Sequence, residues 1–292
     1  MVKNIDVCII LVNYNGYEDT DECLKSISIN KHINHKIIIA DNSNTKNINY
    51  IKKFQTIYDA DVLEIDNHGF SDGNNRAVYY CVNKYGPTHI LLLNNDTTVD
   101  AQFLNVLLTE ANAHPSYGII SGKIYSYYDR DYIWAAGGEY DRSNGRTIQY
   151  SGIELHQYDK PRECTFTSGC MMLIRSSVYV ELGGLSEKFF MYGEDTEFCQ
   201  RVLDHGYKIY YNPQAIIYHK ISASQKKDSL SQQYYMIRNN LYVISQYHDC
   251  KTYFIRTFYS YLKDILKKRR NFRAVVRAYH DYFKKIDGRV DL

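Results

Sequence analysis

Short apolar runs alternating with polar clusters dominate the first hundred residues. Residues 6–14 (DVCIILVNY) form a β-rich apolar run stopped by Asn15-Gly16, which predicts a buried strand entering a loop. Residues 17–29 place Cys23, Leu24 and Ile27 at helical spacing. Residues 36–40 (KIIIA) predict a second strand, ended by Asp41-Asn42-Ser43. A short helix over 46–54, a strand over 61–65 and a helix over 72–85 follow, the last broken by Gly86-Pro87. Residues 89–93 (HILLL) predict a fourth strand that runs straight into Asn94-Asn95-Asp96. Strands alternating with helices in this way indicate an α/β domain with a mainly parallel sheet.

After about residue 115 the rhythm changes. Residues 117–125 and 165–174 read as strands, and 132–150 as a hairpin excursion carrying Gly137-Gly138 and Asn144-Gly145. A helix is expected over 194–205, stopped by Gly206, then strands over 207–211 and 215–218. From residue 229 the pattern is helical. There is no internal repeat and no low-complexity linker, so one domain over 1–225 with a helical extension over 226–292 is expected.

A chain of 292 residues buries roughly three quarters of its unfolded surface and needs no staples. The seven cysteines (Cys8, Cys23, Cys81, Cys164, Cys170, Cys199, Cys250) form no CxxC pair, which points to reduced thiols rather than disulfides or zinc. The apolar run at residues 7–12 is far short of the ~20 residues a membrane span needs. A cytoplasmic protein is therefore expected. The formal charge of +2 is uneven: residues 251–292 hold twelve Lys and Arg against four Asp, a net of +8, which leaves −6 for residues 1–250. Such asymmetry suggests a tail with an anionic partner. Phe254, Phe258, Leu262, Ile265 and Leu266 recur there at helical spacing beside residues 267–270, so an interfacial helix on an anionic membrane and a solvated basic helix packed on the domain both fit. Tyrosine, at 30 residues against one tryptophan, suits sugar and nucleobase contact, although a compositional habit is the favoured reading.

In open α/β sheets, ligands bind beyond the carboxyl ends of the strands. Three expected strands end there in polar clusters: Asn13-Tyr14-Asn15, Asp41-Asn42-Ser43-Asn44 and Asn94-Asn95-Asp96. One such cluster is ordinary turn chemistry; three on one edge make a site. Asp41 can accept a hydrogen bond from the imide N–H of uracil or thymine, which cytosine lacks, and Tyr14 can pack on the base. Asp96 is placed to hold a hard divalent cation against a diphosphate. Residues 67–75 (NHGFSDGNN) follow a strand and open a helix, where free backbone N–H groups favour an anion. Neither GxGxxG nor a Walker GxxxxGK[ST] occurs, against a dinucleotide oxidoreductase or a P-loop NTPase. In FFMYGEDTEFCQR (residues 189–201), Glu194-Asp195 follow Gly193 at a helix start. First-turn acids are common caps. As a functional pair, one takes the proton of an acceptor hydroxyl and the other orients it, with Phe189, Phe190 and Tyr192 offered to the apolar face of a sugar. His219 is structural, or completes a cation site with Asp96.

These residues resemble family 2 glycosyltransferases of the GT-A fold, especially the rhamnosyltransferase-like branch that builds bacterial surface polysaccharides. The likeness runs from Val7 to about Asn240 through LVNYNG, ADNSN, NHGFSDGNN, LLLNNDT, FTSGCMMLIR, GEDTEF and YYMIRNN. The resemblance implies the nucleotide-diphospho-sugar transferase fold, a mixed and mainly parallel sheet flanked by helices, with a helical C-terminal extension. It implies that Tyr14, Asn15 and Asp41 line the nucleotide pocket, with Asn67, Gly69, Asn74 and Asn95 near the nucleotide-sugar. Asp96 is then the surviving carboxylate of the family's metal-binding DxD motif, His219 a further ligand of the Mg or Mn ion, and Asp195 the base of the ED pair beside Glu194. The implied reaction is inverting transfer from thymidine-diphosphate rhamnose, or next a uridine-linked hexose, to a saccharide or polyprenyl-diphosphate-linked saccharide. Two positions depart from the pattern: Asn94 where many members have the first Asp of DxD, and Ala77 where glycine is frequent.

Two other classes are weighed against this. A catalytically silent nucleotide-sugar-binding subunit would not need both Asp195 and Asp96. A sugar nucleotidyltransferase would need a Gly-rich, basic triphosphate loop near the start, which is missing. The basic tail carries no recognisable nucleic-acid module.

Overall fold

The computed structural model describes residues 5–30, 33–143, 145–220, 229–247, 250–267 and 269–292. In chain order the elements open with β1 (Val7–Asn13), α1 (Tyr17–Ile27), β2 (His35–Asp41), α2 (Ile48–Ile57), β3 (Asp61–Glu64), α3 (Phe70–Tyr85) and β4 (His89–Leu93). Then come β5 (Thr97–Val99), α4 (Phe103–Ala113), β6 (Tyr117–Ser126), β7 (Tyr132–Ala135), β8 (Gly138–Asp141), β9 (Arg146–Gln149), β10 (Gly152–Ile153) and β11 (Arg162–Cys164). The chain closes with β12 (Met171–Arg175), α5 (Ser176–Glu181), α6 (Glu194–Asp204), β13 (Lys208–His219), α7 (Leu230–Tyr247), α8 (Cys250–Leu266) and α9 (Phe272–Phe283).

The main sheet is mixed. Its strand order is β10-β7-β6-β12-β4-β1-β2-β3, parallel from β4 to β3, with β12 antiparallel between β4 and β6. Both faces are covered, so the central strands are apolar throughout rather than alternating. Val7, Ile9 and Leu11 of β1 pack with α1, α2 and α4, while Cys8 and Ile10 pack on the opposite face with α3, α5 and α6. A third apolar cluster joins α7, α8 and α9 to Phe190, through Tyr234, Tyr235, Tyr261, Val275 and Tyr279.

Several sequence expectations shift. The strand expected over 165–174 begins only at Met171, because residues 165–169 spend their backbone elsewhere: Thr165 and Phe166 N–H go to the Gly138 carbonyl, and Gly169 N–H to Asp195. The two strands expected over 207–218 are one, β13, with a bulge between Asn212 and Ile216. Pro213 lies in that bulge, where its missing N–H costs no ladder bond. The bulge presses the Ala215 carbonyl to within 2.0 Å of where a Cβ on residue 122 would sit, so that position must be Gly122. Helix α4, unassigned from the pattern, buries Phe103, Leu104, Leu107, Leu108 and Ala111. Of the tail stripe, Phe254 and Ile265 turn inward onto the third cluster, whereas Leu266 is exposed. The expected boundary at 225/226, Asn144 of the hairpin and Lys268 of the basic run lie outside the described residues.

Candidate active site

Strands β1, β2 and β4 deliver their carboxyl ends to one edge. Asn13, fully buried at the end of β1, ties that edge together. Its Nδ2 donates to Asp41 Oδ1 (3.0 Å) and Ser43 Oγ (3.1 Å). Its Oδ1 accepts from Gly16 N–H (3.1 Å), the Thr20 hydroxyl (3.1 Å) and Asn95 Nδ2 (3.3 Å). A buried amide that uses both ends in this way fixes the loops, because any lost partner leaves an orphaned polar group. Asn15 takes φ 56° and donates its N–H to Ser43 Oγ (2.8 Å). Tyr14 stays 40% exposed on the cleft, its hydroxyl accepting from Asn44 Nδ2 (3.1 Å).

Asp41 sits lower than the sequence suggests. It is 1% exposed and accepts from Asn13, from the Tyr17 hydroxyl at 2.8 Å and from the Ser43 hydroxyl at 2.6 Å. Lys46 caps it from behind, donating to its backbone carbonyl at 2.5 Å. The neighbour that faces the open space is Asn42, whose Nδ2 lies 3.3 Å from Asn67 Oδ1.

Asn67 and Gly69 form the turn into α3. Asn67 Oδ1 accepts the Gly69 N–H (3.1 Å), and Phe70 N–H donates to the Phe190 carbonyl (2.9 Å). This pins the turn against the loop before α6. Gly69 has φ 112°, and a Cβ there would lie 2.3 Å from the Phe190 carbonyl oxygen, so only glycine fits on both counts. Asn74 is buried inside α3, donating to the Phe70 carbonyl (2.8 Å), and holds the first turn.

Glu194 and Asp195 open α6 behind Gly193, at φ 92°. Asp195 Oδ1 accepts Thr196 N–H (2.7 Å), and Oδ2 accepts Gly169 N–H (3.2 Å). Glu194 Oε2 is buried without a protein partner. Burial pushes both carboxyls above their ordinary range, and for Glu194 the adjacent Asp195 charge adds to the push. Two like charges this close do not ionise together readily. The N–H donors favour charge on Asp195, so Glu194 is the group that keeps a proton. Both groups bind protons more tightly folded than unfolded. Their contribution to stability is therefore full below the ordinary carboxylate range and is lost as pH rises through the raised values.

The loop before α6 is held from outside the sheet. Asn239 of α7 donates Nδ2 to the Met191 (2.8 Å) and Tyr192 (2.7 Å) carbonyls. Beside it, Arg238 is fully buried and donates to Asn239 Oδ1 (3.0 Å), the Tyr234 hydroxyl (3.2 Å) and the Gly288 carbonyl (2.9 Å). The aromatic residues of that loop divide. Tyr192 and Phe190 reach the cleft, but Phe189 is core, 1% exposed, and is not available to a sugar.

The same cleft is lined by Asp96, with His219 Nε2 3.2 Å from its Oδ1. Two ligands at ~2.1 Å from one ion, on adjacent octahedral positions, lie about 3.0 Å apart, so this pair fits one hard cation. His219 Nδ1 is buried with no partner, and Trp134 packs edge-on against the ring at 4.5 Å. Among the described residues, the one group of three candidate metal ligands, Glu154, His156 and Asp159, lies away from the cleft. There Lys123 already reaches Glu154 (2.9 Å) and Asp159 (2.5 Å), which supplies the counter-charge.

One cleft of about 2050 Å³ gathers Tyr14, Asn15, Asn67, Gly69, Asn95, Asp96, Glu194, Asp195 and His219. Asp41 and Asn74 stand behind it as supports. A drug-sized ligand fills about 300–1,000 Å³, so two substrates fit side by side. The hairpin β8–β9 and helix α8 close the far end, through Arg146, Thr147, Tyr253 and Arg256. Gly169, Asn239 and Arg289 are cleft or support residues that the sequence does not mark singly, although Gly169 lies in FTSGCMMLIR and Asn239 in YYMIRNN. Asn42 belongs to the polar cluster that ends β2, and there the structure brings it, rather than Asp41, to the cleft.

Residues 5–240 match the family model described as Glycosyltransferase like family 2. Over 204 residues the chain is 31% identical to the low-salt glycan biosynthesis hexosyltransferase Agl10 of Haloferax volcanii, covering 67% of this chain and 61% of that protein. The match thus spans less than two thirds of that relative's length. Against rhamnosyltransferase WbbL of Escherichia coli (strain K12) the identity is 23% over 291 residues, covering 94% of this chain and 99% of that protein. The fold is similar to the crystal structure of GalNAc-T7 with UDP, GalNAc and Mn2+: the TM-score is 0.61 at 13% identity, over 81% of this chain and 48% of that one.

Proposed function

The chain belongs to glycosyltransferase family 2, and on that premise we propose that it transfers a sugar, with inversion, from a pyrimidine nucleotide diphosphate to a saccharide hydroxyl. The observation that carries this is the placing of Asp96–His219 and Glu194–Asp195 around a single cleft large enough for donor and acceptor together. Thymidine-diphosphate rhamnose is the first donor, in keeping with the rhamnosyltransferase relative, and a uridine-diphosphate hexose the second. Tyr14 and Asn42 face the base, while Asp41 acts through Asn13, Tyr17 and Ser43 to hold the pocket floor. Asn67, Gly69 and Asn95 shape the sugar-diphosphate side. Asp195, held by Gly169 and Thr196 N–H groups, takes the acceptor proton, and protonated Glu194 orients the acceptor.

Asp96 and His219 would hold Mg or Mn, as the GalNAc-T7 structure holds Mn2+. Such an ion, when bound, withdraws charge from the departing diphosphate. A panel of thymidine-, uridine- and guanosine-diphosphate sugars with manganese or magnesium tests the donor class by thermal shift. A ligand at ~100 times its Kd stabilises by about 2.7 kcal/mol, so the true donor raises Tm by several degrees. A panel in which purine donors stabilise best, or none does, removes the proposal.

The acceptor is a saccharide, free or on a polyprenyl diphosphate, and the extension docks it at an anionic membrane surface. Among the described residues no helix is long and apolar enough to cross a membrane. Ile255, Tyr259 and Leu266 of α8, with Phe272, Val276 and Phe283 of α9, are large exposed apolar groups on the segment of net charge +8. Vesicles rich in anionic phospholipid are expected to float the chain. An Ile255→Ser, Tyr259→Ser, Leu266→Ser variant should stay in the dense fraction, and equal flotation of the two rejects the anchor.

A further inference from the structure

Residues 286–292 turn back from α9 and run along the cleft. The turn is made by Ile286 N–H to the Asp281 carbonyl (2.8 Å) and by Gly288 at φ 61°. Gly288 N–H then donates to the Lys188 carbonyl (2.9 Å), and Arg238 donates to the Gly288 carbonyl (2.9 Å). Val290 N–H donates to the Tyr235 hydroxyl (2.9 Å). These bonds join the segment both to α7 and to the loop before α6. A fully buried guanidinium such as Arg238 is costly unless every donor is met. Meeting one of them with Gly288 commits the segment to this place.

Between these anchors Arg289 projects over the rim. It donates to the Asn67 carbonyl at 3.3 Å and lies 5.7 Å from the Phe190 ring. The side chain is exposed, and one long hydrogen bond leaves most of its five N–H donors open. Asn67 opens the turn into α3, so Arg289 sits at the part of the cleft rim where that turn begins, in the same cleft that Asp96 lines.

Charge bookkeeping shows what those donors can serve. A nucleotide diphosphate sugar carries two negative charges, and the departing nucleoside diphosphate carries a third. One divalent cation at Asp96 and His219 matches two of them. The third develops as the glycosidic bond breaks, in a cleft where Asp96 and Asp195 add negative charge. Arginine suits phosphate because its planar fork donates two parallel hydrogen bonds.

We infer that residues 288–292 form a strap completing the donor pocket, and that Arg289 binds the terminal phosphate of the nucleoside diphosphate. This rests on the glycosyl-transfer reading above. On binding, Arg289 exchanges its long contact with Asn67 for phosphate oxygens, and it holds the leaving group as its charge grows.

Titration calorimetry of the whole chain with manganese tests this, using uridine and thymidine diphosphates and monophosphates. Arg289→Gln should weaken the preferred diphosphate at least ~10-fold while changing the monophosphate less than ~2-fold, and Arg289→Lys should fall between. Tm should be unchanged in both variants. A strap with only a structural role would weaken the two nucleotides alike and lower Tm, which overturns the inference. Diphosphate affinity of Arg289→Gln equal to wild type also overturns it, while leaving the function standing. Failure of the wild-type chain to bind either diphosphate sinks the donor reading and the inference with it.

Discussion

Replacing Asp195 with Asn is expected to lower kcat by at least ~10²-fold, the lower end for loss of a positioned general base. Asparagine keeps the side-chain shape but cannot take a proton. It must also turn either its oxygen or its NH2 toward two N–H donors, Thr196 at 2.7 Å and Gly169 at 3.2 Å, which both need an acceptor. One of those bonds is lost whichever way the amide turns. Substrate binding should change far less than turnover, because the role lies in proton transfer. The pH profile adds a second reading. Burial raises the Asp195 carboxyl, so the acid limb of kcat/KM in the wild type should lie above the ordinary carboxylate range of about 4. In Asp195→Asn that limb should flatten. Turnover within ten-fold of wild type, or an unchanged limb, would remove Asp195 from the base role.

Asp96→Ala should reduce kcat/KM by on the order of 10²-fold and abolish the response to added manganese. The loss is expected mainly in donor affinity, since Asp96 and His219 would hold the ion that offsets the charge of the diphosphate. The substitution also strips His219 Nε2 of its partner at 3.2 Å, so neither half of the pair survives alone. Rates measured across a manganese series, with and without EDTA, decide the matter. Full activity in EDTA, with Asp96→Ala equal to wild type, would mean that the pair serves only structure.

The parallel half of the sheet was legible because its signals are local. Buried strands read as unbroken apolar runs, and their polar ends at Asn13, Asp41 and Asn94–Asp96 mark one edge. The other half depends on distant partners. Strands β5, β10 and β11 are two or three residues long and exist only because longer neighbours complete them. Residues 165–169 have strand-like composition, yet their N–H groups serve Gly138 and Asp195 instead. Helix α4 could have been read, for Phe103, Leu104, Leu107, Leu108 and Ala111 carry the period plainly. Site residues divide along the same line. Asp96, Glu194, Asp195 and His219 stand out by type and position, and the fold brings them to one cleft. That Asp41 would be saturated by Asn13, Tyr17 and Ser43 depends on contacts made across three loops. Arg238 and Asn239 lie in YYMIRNN but show their grip on the loop before α6 only in three dimensions, and Arg289 lies where composition registers only a surplus of positive charge.

The two amide bonds from Asn239 to the carbonyls of Met191 and Tyr192 bear on how such a chain can diversify. Helix α7 both lines the cleft and braces the turn that leads into Glu194 and Asp195. A recombinant that replaces α7 must therefore carry this brace over intact, or the turn before α6 loses two of its hydrogen bonds. By this coupling α7 and residues 190–193 act as one unit of exchange.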